Sequence, residues 1–249
     1  MRLIGHRGAR GEAPENTLSG FRYLRQLGVR AVELDIQVSA DGELVIIHDN
    51  SLERTTLAYG EVRLTHSSDL ARINATRKSF PDWPEIEGIP TLREVMAVLH
   101  DFEHIQFEVK AATEADCQTV AAKFPALWRE FGFGERAFTT SFNPRYLHLI
   151  RDAAPEIPRG FLFEQDFAGN PVEAALGLGC LAMGPHQARC DLPLLQAAHE
   201  AGLQVATWTV NDVARMHELA RLGIDGLITD VPSRALHEAG ELFATPKPA

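Results

Sequence analysis

The sequence predicts one (β/α)8 TIM barrel, spanning residues 1–249, with a small insertion after its second strand at about residues 50–90. Short β-branched runs alternate with helical runs about eight times, the rhythm of parallel βαβ units. The length of 249 residues suits such a barrel, which commonly occupies ~250. Neither a GxGxxG turn after a strand nor a GxxxxGK[ST] loop occurs, so nothing supports an open nucleotide-binding sheet.

The first strand, Arg2 to Gly5, opens onto His6-Arg7-Gly8. Glycines at 5, 8 and 11 predict a tight loop whose backbone can approach a ligand closely. Pro14-Glu15-Asn16-Thr17 predicts the start of a helix, with Leu18, Phe21, Leu24 and Leu27 as its apolar stripe and Gly28 as its stop. Ala31 to Val38 reads as the second strand. A turn at Ala40-Asp41-Gly42 then leads to a second β-branched run, Leu44 to Ile47, which delivers His48-Asp49.

Between Asn50 and Pro90 the pattern weakens into a Thr, Ser, Asp and Pro-rich stretch, read as an insertion rather than a separate domain. Alternation resumes with a helix at 91–100, and strands follow at 105–110, 137–142, 159–163, 180–183, 204–210 and 226–228. Helices at 114–131, 144–152, 171–178, 192–201, 213–222 and 234–243 separate or follow them, and the tail TPKPA is expected to fray.

The second strand organises the chemistry. Val32, Leu34, Ile36 and Val38 alternate with Glu33, Asp35 and Gln37, so one face is apolar while the other carries two carboxylates ~7 Å apart. That spacing suits two ligands of one hard cation, although a solvated acidic strand face has the same pattern. The strand at 105–110 repeats the parity with Glu108 and Lys110, leaving Phe107 and Val109 for the helices.

In a barrel of this kind the chemistry sits at the C-terminal ends of the strands. His6-Arg7, Glu33 and Asp35, His48, Glu108 and Lys110, Ser141-Phe142, Trp208 to Asn211 and Thr229-Asp230 all fall there. Taken singly, each has an ordinary structural reading. A lone histidine is more often a satisfied core or surface residue, Glu108 and Lys110 make a plausible salt-bridge pair, and Trp208 fills core. Thr229-Asp230 before Val231-Pro232 predicts a cap for the last helix. Convergence outweighs these readings, because buried charges need partners or a metal.

Composition narrows the partners. Lys+Arg 24 against Asp+Glu 34 gives a net charge of −10, a field that disfavours nucleic acid and anionic membrane surfaces. A small anionic substrate remains compatible where a cation or a few basic groups reverse the field locally. Three cysteines without CxxC spacing argue against a disulfide framework or structural zinc. No stretch approaches ~18 apolar residues, and the N-terminus lacks an apolar leader, so a cytoplasmic protein is expected.

Several short motifs in order carry a family resemblance: HRG at 6–8, PENT at 14–17, ELD at 33–35, HD at 48–49, EVK at 108–110, WTVN at 208–211 and GIDGLITDVP at 223–232. The run Leu52 to Thr56 and the return at Ile89 to Leu92 extend it, so that nearly the whole chain resembles the glycerophosphodiester phosphodiesterase family. The resemblance implies one divalent cation, Mg²⁺ or Ca²⁺, held by Glu33, Asp35 and Glu108. It also implies His6 and His48 as the acid–base pair and Arg7 and Lys110 near the phosphate, while Trp208 is a candidate substrate contact. The implied reaction is hydrolysis of a glycerophosphodiester to glycerol 3-phosphate and an alcohol, through a cyclic phosphate formed by the glycerol 2-hydroxyl. Two other readings compete. The same barrel can cleave lysophospholipids, or it can be a catalytically silent module that binds a phosphate ligand.

Overall fold

The protein is described by a computed structural model over residues 1–243; the TPKPA tail lies outside the described residues. Among the described residues nine strands form: β1 (Arg2–His6), β2 (Ala31–Val38), β3 (Leu44–Ile46), β4 (His104–Val109), β5 (Ala137–Ser141), β6 (Arg159–Phe163), β7 (Ala182–Pro185), β8 (Gln204–Thr207) and β9 (Gly226–Thr229). Eight are parallel neighbours in the order β1-β9-β8-β7-β6-β5-β4-β2, and β1 pairs with β2 to close the ring. The result is a TIM barrel. β3 lies outside the ring, antiparallel to β2, and carries the chain to His48 and the insertion.

Each crossover that matters for the core is helical: α1 (Leu18–Gln26), α2 (Ser67–Leu70) within the insertion, α3 (Leu92–Val98), α4 (Glu114–Phe131) and α5 (Pro144–Ala153). After these come α6 (Pro171–Gly177), α7 (Leu192–Glu200), α8 (Val213–Leu222) and α9 (Pro232–Ala239). Capping boxes at Thr91/Glu94 and Thr113/Asp116 fix the starts of α3 and α4 by satisfying free backbone N–H groups.

Strand period decides what faces where. Val32, Leu34 and Ile36 of β2 and Ile105, Phe107 and Val109 of β4 all belong to the core between strands and helices. Phe107 packs edge-on against Phe124 of α4, with ring centroids 5.4 Å apart. The alternate residues point into the barrel. Ile4, Gln106, Thr140 and Leu162 fill its middle with apolar or neutral groups, and the residues two further along, His6, Glu108, Phe142 and Glu164, reach its C-terminal mouth.

The first turns differ from the helical start predicted at Pro14. α1 begins at Leu18, with the Thr17 hydroxyl accepting from the Gly20 N–H at 3.0 Å. Residues 14–17 form a turn because Asn16 is left-handed, at φ 55°, a backbone no helix accommodates. Arg7 is likewise left-handed at φ 51°. The glycine spacing in this loop serves its own folding: a Cβ on Gly5 would sit 2.0 Å from the Gly8 carbonyl oxygen.

Smaller shifts occur later. The predicted strand at 180–183 is β7, two residues on, and the last helix starts at Pro232 and passes at Gly240–Leu242 into a 3-10 turn. The insertion shares a small core with β3 and the residue after it: Val45, Ile47, Leu52, Val62, Leu70 and Ile89. It rests on α1 through Trp83, whose ring meets Tyr23 at 6.0 Å and whose Nε1–H donates to Ser19 Oγ at 2.9 Å.

Candidate active site

Register brings the acidic residues together. Asp35 is directly paired with Glu108 across β2 and β4, and Glu33 with His6 across β1 and β2. One carboxylate oxygen from each of Glu33, Asp35 and Glu108 lies within 4.8 Å of the others, and all three residues are buried. Glu33 Oε1 and Asp35 Oδ1 accept no hydrogen bond, and Glu108 Oε1 meets only the Lys110 ammonium. Buried carboxylate oxygens short of donors, gathered from three residues, fit an oxygen-coordinated hard cation such as Mg²⁺ or Ca²⁺.

Two protein cations flank the trio. Lys110 Nζ contacts Glu108 Oε1 and lies 3.5 Å from Asp35 Oδ1, while Arg7 Nε lies 3.2 Å from Asp35 Oδ2. The salt-bridge reading of Glu108 and Lys110 is therefore present, as one part of a larger cluster. Burial and the neighbouring Asp35 and Glu108 charges push Glu33 well above the usual carboxylate range. Burial raises Glu108 to about 7, against the pull of Lys110. Burial acts on Asp35 in the same sense, but Lys110 and Arg7 outweigh it and hold that carboxyl low.

The two histidines are built alike. His6 Nδ1 lies 2.6 Å from Asp230 Oδ1, and His48 Nδ1 lies 2.6 Å from Asp49 Oδ1. A carboxylate on Nδ1 holds the proton there and leaves Nε2 free for proton transfer. Burial lowers the His6 pKa, opposed by the Asp230 bond. It lowers His48 too, with Lys110 and Arg7 adding to it and Asp35 and Asp49 opposing.

Every predicted site residue except Asp35 lines one cavity of about 210 Å³ at the barrel mouth: His6, Arg7, Glu33, His48, Glu108, Lys110 and Trp208. Asp35 is fully buried beside it. Trp208 is held by its Nε1–H donating to the Gly184 carbonyl at 3.0 Å, and its ring meets Phe142 edge-on at 5.5 Å. His186 packs edge-on against Trp208, with ring centroids 5.2 Å apart.

Several members of the site carry no sequence signal as strong as their role. Asp230 does not cap the last helix; Val231 occupies the N-cap without a side-chain bond, and Asp230 binds His6 and accepts from Asn211 Nδ2 at 2.8 Å. Asn16, read as helix start, donates to Asp35 Oδ2 at 2.8 Å, which accounts for its left-handed backbone. Glu15 is a hub: Arg7 donates to it at 3.0 Å, Arg54 at 2.7 and 2.8 Å, and Arg10 lies 3.7 Å away. Arg54 also binds Asp49, and Arg10 lies 3.7 Å from Asp230, so an unbroken ionic chain joins the partners of the two histidines. Glu164, at the mouth end of β6, lines the cavity as well. Continuing the period-2 pattern Gly160, Leu162, Glu164 was the available signal for it.

A barrel whose mouth joins a carboxylate trio, two carboxylate-backed histidines and two cations has the equipment of a phosphoric diester hydrolase. Residues 6–234 match the model of the glycerophosphoryl diester phosphodiesterase family, and the chain belongs to that family. A glycerophosphodiester phosphodiesterase of Caldanaerobacter subterraneus is 30% identical over 236 residues, covering 94% of this chain and 96% of that one. The structure of an Oleispira antarctica phosphodiesterase in complex with the product sn-glycerol-3-phosphate superposes with a TM-score of 0.89 at 28% identity, covering 96% of this chain and 97% of that one. A Silicibacter pomeroyi relative gives a TM-score of 0.88 at 26% identity, covering 98% and 95%. This chain is accordingly an enzyme, a phosphodiesterase. No helix among the described residues is long and apolar enough to cross a membrane.

Proposed function

We propose that the protein hydrolyses glycerophosphodiesters to glycerol 3-phosphate and an alcohol with one divalent cation, Mg²⁺ or Ca²⁺, held by Glu33, Asp35 and Glu108. The observation that carries this reading is the pairing of two carboxylate-backed histidines with a buried carboxylate trio at the same barrel mouth. The bound cation would supply charge neutralisation at the phosphodiester, which otherwise repels nucleophiles. Three carboxylates against Arg7 and Lys110 leave one excess negative charge; a 2+ ion turns this into one positive charge, suited to a monoanionic diester.

The chain's own groups then divide the work. Arg7 and Lys110 face the phosphoryl oxygens, Arg7 as a planar fork and Lys110 as a point charge. His6 accepts the proton of the glycerol 2-hydroxyl at Nε2 as that oxygen attacks phosphorus. His48 donates a proton to the departing alcohol. Water opens the resulting cyclic phosphate with the two histidine roles reversed. The insertion belongs to this catalytic domain, since Arg54 holds the Asp49 that orients His48.

The test is product release from glycerophosphocholine beside an analogue lacking the 2-hydroxyl, both with Mg²⁺. Glycerol 3-phosphate from the first and no cleavage of the second is the expected result. Equal cleavage of both contradicts the internal nucleophile, and cleavage of neither contradicts the function.

A further inference from the structure

The cavity has two unlike halves. His6, Arg7, His48 and Lys110 come from β1, from β4 and from the segment after β3. The opposite side is built by Phe142, Leu162, Glu164 and Trp208, at the ends of β5, β6 and β8. In the ring β6 lies across from β1, and β8 across from β4. Phe142 joins the halves: Lys110 Nζ lies 5.5 Å from its ring centroid, and its edge-on partner is Trp208.

Glu164 is the odd group on this far wall. Among the described residues it makes no ion pair and its carboxylate accepts no hydrogen bond, although every other carboxylate lining the cavity belongs to the trio. A solvent-exposed acid lining the same cavity as an indole, in a site that otherwise holds an anion, opposes binding of the phosphate end. It favours a positive group at the other end. Carboxylate and aromatic faces together are the chemistry that recognises an alkylammonium.

Building on the function proposed above, we propose that Glu164, Trp208 and Phe142 receive the leaving alcohol and favour one bearing an ammonium group, a choline- or ethanolamine-type head group. The zwitterionic diester then lies with its phosphate toward the cations of β1 and β4 and its ammonium toward Glu164. A neutral head group gains nothing from the carboxylate.

The experiment compares kcat/KM for glycerophosphocholine, glycerophosphoethanolamine and glycerophosphoglycerol with Mg²⁺, in wild type, Glu164→Gln and Glu164→Lys. Wild type is expected to favour both ammonium substrates. Glu164→Gln should cut the ammonium-to-neutral ratio about tenfold, mainly through KM because the group touches no reacting atom. Glu164→Lys should reverse the preference. Turnover of all three substrates with a ratio that Glu164→Gln leaves unchanged overturns the head-group assignment alone. No turnover of any substrate by wild type overturns the function it rests on, and this assignment with it.

Discussion

His6 and His48 reach the same arrangement from opposite ends of the chain. Asp230 stands 224 residues from His6, whereas Asp49 is the very next residue after His48, yet both hold Nδ1 at 2.6 Å. Replacing His48 by Ala should lower kcat by roughly 10²–10⁴-fold with the fold retained, as expected for loss of an acid–base group; turnover at the wild-type rate would show the role misassigned. The pH dependence follows from the same contacts. Burial lowers the His48 pKa below 6.5, and the Asp49 bond partly offsets this. A general acid works only while protonated, so the alkaline limb of kcat should lie at lower pH than an unperturbed histidine gives. Asp49→Asn removes the offset. Its alkaline limb should move further toward acid, with more activity lost at neutral pH than at acid pH; a limb that stays in place contradicts the assignment of His48 as acid.

At the scale of elements, the turn at 14–17 and the insertion do more than connect strands. Asn16 and Glu15 reach Asp35 and Arg7 from the turn, and Arg54 reaches Glu15 and Asp49 from the insertion. Arg54 is 38% exposed at its side chain, so its removal should cost little stability. Its effect belongs in catalysis: Arg54→Ala should lower kcat about tenfold while the melting temperature shifts by only a few degrees. Arg54→Lys keeps the charge but not the fork that spans two carboxylates, and should recover only part of the rate. A large fall in melting temperature with kcat preserved would make the arginine structural. These elements also mark where sequence reading fell short. The helical stripe from Leu18 was visible, but a Pro-Glu-Asn-Thr run looks like any helix start. What excluded helix was the commitment of the Asn16 side chain to a carboxylate nineteen residues away.

For the whole molecule, period was the strongest signal. Alternation of two along β2 and β4 placed Glu33, Asp35 and Glu108 on the inner face, and the count of units closed the ring. Asp230 continues the inward period of Gly226 and Ile228 in β9, but its pairing with His6 is set by ring closure, and Glu15 and Arg10 lie in a loop that carries no such periodicity. Burying three carboxylates against two cations also leaves the molecule with an electrostatic cost that a bound cation would relieve. Glu33 and Glu108 hold protons more tightly than exposed carboxylates do. Protons and a metal held by the proposed ligands would therefore compete. The rise in melting temperature on adding Mg²⁺ to EDTA-stripped protein should grow as pH goes from about 5 to about 7, and a rise independent of pH would argue against these ligands.

The most direct measurement is glycerol 3-phosphate release from glycerophosphocholine after EDTA treatment, with Mg²⁺ or Ca²⁺ added back, in wild type and Glu33→Ala. Turnover abolished by EDTA, restored by one of the cations in wild type, and absent from Glu33→Ala in all conditions is the predicted outcome. Turnover that survives EDTA, or that Glu33→Ala retains, contradicts a metal-dependent phosphodiesterase centred on the β2–β4 carboxylates.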